Sequence, residues 1–347
     1  MSVISQKDFQ CSEIQSELDS QFAICTTPFE AMPFLEAVLA TQVAAGISQS
    51  VSDGMGKVKT VNVTYDQRAL ESAATVATGA RTCDSTNETY NNYTTYEIDP
   101  TTHITYGEKF NVADLATVCQ ELPAYFAKKI AKVIDVIERK AATQLSNEVV
   151  QWVGAWGSNV TADNGSNELV VSTLVTEAGK AVDYSAMPLI DLSLMQTGYC
   201  APPIIVGGSK LYTYGQNIAA GCCATTGVNI LDMANQFGKA ILYDKRVEAA
   251  LGSALKSIVF QPGALAVITY NEFNETTLIG ANYAKMKVFS PRTGLPIDII
   301  IKDDCGAISI TGYFVGKLVG LPNDMFAVGD EYRGVTMVNK ILVTNAA

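Results

Sequence analysis

The chain has 347 residues, enough for one large domain or two to three smaller ones, and 48% of them are apolar while only 17% are charged. That charged fraction lies below the roughly 25% of an average soluble protein, and interface cores are depleted in charge, so the composition favours large contacts between subunits. The formal net charge of −11 excludes a basic nucleic-acid clamp of the usual kind, although not a container that encloses nucleic acid.

Residues 1–50 are predicted to form an N-terminal arm. A polar lead of mixed charge, which does not have the pattern of a targeting peptide, precedes a helix from about Pro33 to Ala45. The apolar stretch PFLEAVLATQVAAGI contains Glu36 and Gln42 and is too short to span a bilayer. We therefore expect a soluble chain.

Between residues 51 and 111 the chain favours strands but has few aliphatic side chains. KVKTVNVTY alternates apolar and polar residues with the period of a half-exposed strand, and a polar tract rich in Thr and Tyr follows. An isolated two-stranded ribbon is marginal in water, so this segment needs another surface on which to lie. We predict an extended β-hairpin loop that leaves the body of the protein.

The strongest helical signal follows. A first helix, VADLATVCQEL, is predicted to end before Pro123, and a second continues to about Trp152, with a length of about 45 Å at roughly 1.5 Å per residue. Its apolar stripe has helical spacing and comprises Phe126, Ile130, Val133, Ile137, Ala141 and Leu145. Its other faces carry Lys128, Lys129, Lys132, Glu138, Arg139 and Lys140. We expect the stripe to pack against the C-terminal strands, including Ile299, Ile301, Ile308 and Ile310.

Residues 169–197 are predicted to be helical, and from Pro202 strands and helices alternate. PPIIVGG predicts a buried strand, SKLYTYGQNI a helix opened by Ser209, and KSIVFQPGALAVITYNEF two strands separated by Pro262-Gly263. From Lys285 onward the chain is mainly strand: MKVFS, LPIDIIIKD, GAISITGYFVGKLVGL and VTMVNKILVT. The elements together indicate an α+β fold.

Two adjacent aspartates, Asp303 and Asp304, stand between two apolar strands. Paired carboxylates can bind a metal or share a proton in catalysis. However, no third carboxylate or histidine lies nearby in the sequence, and Asp followed by Gly306 suits a tight turn. We interpret the pair as part of a hairpin turn, with a metal or catalytic site as the alternative.

The segment Val206–Lys210, VGGSK, is the best candidate for a phosphate-binding loop. Backbone N–H groups at a helix N-terminus attract anions, but the glycine spacing matches neither common phosphate-loop consensus. A strand-to-helix turn with Ser209 as the N-cap accounts for Gly207 and Gly208 without a ligand.

The remaining reactive side chains indicate no site. The eight cysteines show no CxxC or repeated ligand spacing and are interpreted as reduced thiols of a cytosolic protein, with Cys222 and Cys223 in small-residue packing. The single histidine, His103, lies in a polar stretch and is interpreted as a bystander. The sequence therefore predicts no enzyme, no catalytic residues, no cofactor and no metal.

The order of these parts resembles the major capsid protein of tailed bacteriophages, the Hong Kong 97-type fold that encapsulins share. The most similar pieces are PPIIVGGSKLYTYGQ, like the strand and helix of the axial domain, and FQPGALAVITYNEF with the strands after it. The resemblance covers nearly the whole chain but is one of architecture. The Lys–Asn pair through which some members crosslink themselves is not found in this sequence.

The resemblance implies a division of the chain into five parts. These are an N-terminal arm (1–50), an extended loop (51–111), a peripheral domain with a long spine helix (112–185), an axial α/β domain (186–285), and C-terminal strands that return to both domains (286–347). In the family, the arm and the extended loop reach over neighbouring subunits, and the axial domains surround the hexamer and pentamer axes.

The implied function is a shell that assembles in the host bacterial cytoplasm as hexamers and pentamers and becomes the virion's icosahedral head. It would enclose double-stranded DNA without sequence-specific binding, and its other partners would be a portal protein and decoration proteins. Since about 50 residues precede the extended loop, we expect any scaffolding protein to be separate. The alternatives are an encapsulin-type compartment and a soluble enzyme that uses Asp303 and Asp304 or the Gly207-Gly208 loop.

Overall fold

The computed structural model describes residues 30–44, 49–52, 59–65, 92–111, 122–156, 160, 167–172, 186–199, 202–223, 240–273, 278–279, 283–304, 307–320 and 337–344. Within these ranges the chain forms five α-helices and three β-sheets, so the mixed helix-and-sheet class predicted from the sequence is confirmed. None of the helices in these ranges combines the length and the apolar character needed to cross a membrane.

The helices are α1 (Pro33–Ala44), α2 (Leu122–Glu148), α3 (Ala186–Gln196), α4 (Ser209–Cys223) and α5 (Lys245–Leu251). A single 3-10 turn, Val149–Trp152, extends α2. The strands of the N-terminal half are β1 (Gln49–Ser52), β2 (Lys59–Tyr65), β3 (Asn92–Ile98), β4 (Ile104–Asn111) and β5 (Glu168–Ser172). Those that follow are β6 (Ile204–Gly207), β7 (Ala240–Tyr243), β8 (Lys256–Phe260), β9 (Leu265–Tyr270), β10 (Leu278–Ile279), β11 (Tyr283–Phe289), β12 (Pro296–Asp304), β13 (Ala307–Gly320) and β14 (Val338–Thr344).

The largest sheet has six strands in the order β10-β11-β12-β13-β4, with β9 also paired to β13. All of its pairs are antiparallel. The first part of β13, Ala307–Phe314, lies between β12 and β4, whereas the last part, Val315–Gly320, pairs with β9. This 14-residue strand therefore belongs to two neighbouring ladders of hydrogen bonds.

Helix α2 packs against one face of this sheet. Its 27 residues span about 40 Å at 1.5 Å per residue. The predicted stripe residues are each at most 1% exposed, and the four isoleucines predicted to face them are fully buried in the same core. A methyl group at Gly312 would lie 2.5 Å from Ile137 Cδ1 and 2.7 Å from Val133 Cγ1, so glycine lets the helix approach β13 closely. The predicted helix, its stripe and its packing are confirmed.

One residue of α2 differs from its predicted position. Glu138 was predicted on a polar face, but its side chain is fully buried and accepts a hydrogen bond from the Thr293 hydroxyl. Burial raises the pKa of Glu138 above its ordinary value, against the effect of the Ser290 and Thr293 hydroxyls. Helical spacing could not predict this, because the face that carries Glu138 is covered by the segment between β11 and β12.

The second sheet has five strands in the order β5-β14-β8-β6-β7. The pairs β5–β14 and β6–β7 are parallel, and the pairs of β8 are antiparallel. Alternate residues of β8 face opposite sides: Ile258 and Phe260 join the core around α2, whereas Val259 packs in a separate cluster with α3 and α4. Both faces are covered, which accounts for the continuous apolar runs in these strands.

The sequence predicted β6, the start of α4, the two strands β8 and β9, and the last four strands, and these predictions are confirmed. The helix predicted from residue 169 is wrong at its start, since Glu168–Ser172 forms β5 and pairs in parallel with β14. A short apolar run does not distinguish strand from helix by its period, and the β-branched Val170 and Val171 suit the strand. Residues 173–185 and the predicted helix VADLATVCQEL lie outside the described residues, except for Leu122, the first residue of α2.

The third sheet contains three antiparallel strands in the order β1-β2-β3. Strand β2 pairs with β3 from Lys59↔Ile98 to Tyr65↔Asn92, as expected for the extended hairpin. The segment does not leave the body throughout, however, because β4 is an integral strand of the six-stranded sheet. Its Phe110 is buried against α2, and that partner was not apparent from local sequence.

Candidate functional site

Asp303 and Asp304 end strand β12. The backbone register continues to Asp304↔Ala307, so the predicted hairpin between two apolar strands is confirmed, although the two aspartates are strand residues. Cys305 and Gly306, which separate the paired strands, lie outside the described residues. Across the described parts of the chain, no group of three or more His, Cys, Asp or Glu side chains is arranged to hold a metal ion.

The Gly207-Gly208 turn connects β6 to α4 as predicted. The backbone N–H of Gly208 donates to the carbonyl oxygen of Lys256 at 2.9 Å and to the hydroxyl of Ser257 at 3.1 Å. A methyl group at Gly208 would lie 2.4 Å from the carbonyl oxygen of Ala254, a backbone atom that cannot yield easily. The glycine is therefore required by close packing against the start of β8.

The N-terminus of α4 carries a carboxylate from its own chain. The backbone N–H of Ser209 donates to Oε2 of Glu248 at 2.7 Å. Glu248 lies in α5, about 40 residues further along the chain. Its negative charge stabilises the N-terminus of α4, where the helix dipole is positive. The cap position belongs to Gly208 and not to Ser209, because the carbonyl of Gly208 accepts the N–H of Tyr212 at 3.2 Å. An anion would have to displace Glu248 to bind here.

His103 is exposed, and its ring lies 5.4 Å from the ring of Tyr313. Cys222 and Cys223 lie in the last turn of α4, and the other six cysteines are outside the described residues, so the prediction of reduced thiols stays a prediction. Sequence reasoning missed Asp298, a carboxylate in the apolar strand β12 that is only 6% exposed. The signal available in the sequence was the position of this aspartate within the isoleucine-rich strand PIDIII.

The base of the β1-β2-β3 sheet is attached to the body by a small apolar cluster. Val61 and Ile98 pack with Ala266, Ile268 and Val319, residues of β9 and β13. The adjacent Tyr96 donates its hydroxyl hydrogen to the carbonyl of Gly320 and packs its ring edge-on against Trp152. Of the side chains described in this sheet (residues 59–62 and 94–98), only Val61 and Ile98 are buried.

Residues 30–44, which were predicted as part of an arm, pack into the body. Met32, Phe34 and Leu35 are at most 1% exposed, and the Phe34 N–H donates to the buried carboxylate of Asp244 at 3.2 Å. Glu30 pairs with Lys245 and with Arg246, whose Nη2 atom lies 3.1 Å from Oε2 of Glu30. The lysine in particular lowers the pKa of Glu30. Residues 1–29, the rest of the predicted arm, lie outside the described residues.

A lysine-bearing surface covers the side of the six-stranded sheet opposite α2. Lys302 of β12 lies in register between Tyr283 of β11 and Ser309 of β13, and Ser309 lies beside Lys109 of β4. Alternate residues of a strand share a face, so Lys285 and Lys287 of β11 lie on the same side. On the same surface Tyr283 and Phe289 are 44% and 42% exposed. We call this side of the sheet the lysine face.

Comparisons with known proteins give structural neighbours only. No family model and no curated protein matches the sequence. The structure is similar to a chain from Mycobacterium phage Adephagia (12% identity, 94% of this chain and 98% of that chain covered, TM-score 0.43). It is also similar to the capsid of cyanophage P-SCSP1u (8%, 85% and 86%, 0.44) and to a virus-like particle from Pyrococcus furiosus (9%, 89% and 97%, 0.36). These neighbours are thus a phage chain, a phage capsid and a virus-like particle, and the three TM-scores are below 0.5.

Proposed function

We propose that the chain is a capsid protein of the Hong Kong 97 type that assembles as hexamers and pentamers into the icosahedral head of a tailed phage. In this proposal α2 is the spine of the peripheral domain (112–185). The five-stranded sheet, with α3, α4 and α5, is the centre of the axial domain (186–285). The β2–β3 hairpin belongs to the extended loop (51–111), and the strands after residue 286 return to both sheets.

The observation that carries the proposal is the attachment of the β1-β2-β3 sheet. Its hairpin has seven residue pairs, a length of about 23 Å at roughly 3.3 Å per residue. The burial described in it is confined to Val61 and Ile98 at the base. A small sheet needs a hydrophobic face or a packing partner to be stable. A neighbouring subunit is the partner that a closed shell supplies.

The charge distribution supports contacts between copies. The chain as a whole carries a formal charge of −11, yet the lysine face carries Lys109, Lys285, Lys287 and Lys302, with the buried Asp298 beside Lys287. A positive surface on an acidic chain is complementary to most of the surface of a second copy, and such complementarity guides docking. The same overall charge disfavours tight contacts with enclosed DNA, which suits a container.

The further partners follow from this function. A head that is filled with double-stranded DNA requires a portal protein at one vertex, and assembly takes place in the host bacterial cytoplasm. We propose a separate scaffolding protein, and decoration proteins as further partners. The proposed role is structural. Among the described residues no metal-binding group of side chains includes the aspartates at the end of β12, and the amides of the Gly207-Gly208 turn donate to protein groups.

Negative-stain electron microscopy of the expressed chain, with sedimentation velocity on the same sample, tests the proposal. We expect hexamers, pentamers or closed shells, either alone or when the chain is co-expressed with a scaffolding protein. A compact monomer under every condition would contradict it. Nuclease-protected DNA in particles from infected cells supports the phage head, whereas a protein cargo inside the particles supports the encapsulin-type alternative.

A further inference from the structure

A cavity of about 280 Å³ lies against the lysine-bearing side of the six-stranded sheet, near its β9 end. Its floor is formed by β12 and β13, and its walls by the connection between β3 and β4 and by the residues that follow β9. The side chains that determine its chemistry are His103, Tyr270, Glu272, Phe273, Asp298 and Tyr313. We call it the acidic-aromatic cavity.

The lining combines aromatic rings with two carboxylates, and no lysine or arginine is among the described residues that form it. Aromatic rings attract cations to their faces, and a carboxylate in a partly desolvated cavity attracts a cation more strongly than it does in water. Tyr270 already shows this tendency, since the ammonium group of Lys59 lies 5.8 Å from the centre of its ring. Lys59 is not among the residues that line the cavity.

Asp298 is the fixed acid of the cavity. Its Oδ1 accepts a hydrogen bond from the Asn271 amide at 3.2 Å, and its Oδ2 accepts the backbone N–H of Glu272 at 2.8 Å. Its register neighbour on β11 is Lys287, whose ammonium group lies 4.9 Å from the ring centre of Phe289. Burial raises the pKa of Asp298, which shows that its charge is costly here. The backbone N–H of Phe273 also donates to this carboxylate, which has acceptor capacity beyond three hydrogen bonds.

The volume restricts the ligand. Pockets for drug-sized ligands are usually about 300–1,000 Å³, so this cavity lies just below that range. A dinucleotide or an oligosaccharide does not fit, whereas a single charged group on a short hydrocarbon stem does. We propose that the acidic-aromatic cavity binds one alkylammonium or alkylguanidinium group, with the cation at Asp298 and Glu272 and the stem against Tyr270, Phe273 and Tyr313.

This chemistry has two possible sources, a lysine or arginine side chain of another protein chain and a free amine. Both present the same group to the same residues, so the binding site is one proposal. It does not depend on shell formation, since the residues to which we assign the cation and the stem all belong to one chain.

Isothermal titration of the unassembled full-length chain with pentylamine and with agmatine tests the site, with 1-pentanol as the neutral control. We expect saturable binding of both cations and none of the alcohol. Asp298→Asn should weaken cation binding by roughly tenfold or more, the loss that follows from about 1.4 kcal/mol. Glu97→Gln removes an exposed carboxylate of β3 outside the cavity and should leave binding unchanged.

If Asp298→Asn fails to fold, Tyr313→Leu is the second variant. It keeps an apolar side chain but removes an aromatic ring, and it should also weaken cation binding.

The same titration on assembled particles identifies the source of the cation. Blocked binding indicates a neighbour's side chain in the cavity, and retained binding indicates a free amine. Absence of saturable cation binding by the wild-type chain, or equal affinities of Asp298→Asn and Glu97→Gln, would overturn the proposal. The failure of particles to form would count against the capsid function alone.

Discussion

The region around α2 and the β1-β2-β3 sheet obtain their stability in different ways. The stripe of α2 is buried within its own chain against β13 and β4. The described side chains of the three-stranded sheet are buried only at Val61 and Ile98, where the sheet meets β9 and β13. The first region is therefore packed along its whole apolar stripe, whereas the described part of the second is packed against the body of the chain only at its base. Changes in the first should alter unfolding of the subunit, and changes far from the base of the second should alter association.

The largest effect is expected at the centre of α2. Ile137→Ala removes a fully buried side chain beside Gly312 and should lower the free energy of unfolding by about 2–5 kcal/mol. Urea denaturation of the unassembled subunit measures this. Val150→Ala, at a position that is 41% exposed, is the control and should change stability by less than about 0.5 kcal/mol. Equal effects of the two substitutions would contradict the claim that the buried stripe of α2 stabilises the subunit.

A smaller loss is expected at the base of the three-stranded sheet. Val61→Ala shortens one of the two side chains that anchor the sheet and should cost about 1–2 kcal/mol, since it removes two methyl groups from a small cluster. Urea denaturation and hydrogen exchange of β2 measure the loss. Glu97→Gln on the exposed side of β3 is the control. A Val61→Ala variant as stable as this control would show that the cluster does not anchor the sheet.

The buried Glu138 should make the core region sensitive to pH. Its pKa is raised on folding, so the folded state holds this proton more tightly than the unfolded state does. Its contribution to stability is therefore largest below the ordinary glutamate value and falls as the pH rises through the raised value. Glu138→Gln keeps an acceptor for Thr293 and removes the charge. Thermal unfolding across pH should show that the variant gains stability at neutral pH and that the gain disappears near pH 4.5; a gain that persisted there would contradict this account.

The smallest effect on folding is expected for the part of the loop beyond the described hairpin. Residues 92–98 of the predicted extended loop form β3 and include the buried Ile98, so a deletion that leaves the sheet intact must end before residue 92. Replacing residues 66–91 by Asn-Gly joins Tyr65 to its partner Asn92 through a favoured two-residue hairpin turn. The unfolding free energy should stay within about 0.5 kcal/mol of the wild-type value, while particle yield falls. Normal particle yield from this variant would contradict the role assigned to the loop.

The sequence predicted those elements whose signal is local. The stripe of α2 and the alternation in the C-terminal strands repeat over many residues, and both were found where expected. The unexpected features depend on distant partners: Glu138 is buried by Thr293, and β4 pairs with a strand about 200 residues later. The Gly207-Gly208 turn shows both cases. Local sequence predicted the strand and the helix that it connects, but the carboxylate that accepts from the helix N-terminus is Glu248, which belongs to another helix.

The double membership of β13 has a mechanical consequence. A force along this strand places its hydrogen bonds to β4, β12 and β9 under shear at the same time, because the strand slides past its neighbours only if many bonds break together. A pull at right angles opens the same bonds one after another and needs much less force. The wall of a pressurised shell carries tension within its surface. In the proposed head, the subunit therefore resists rupture best when that tension runs parallel to β13.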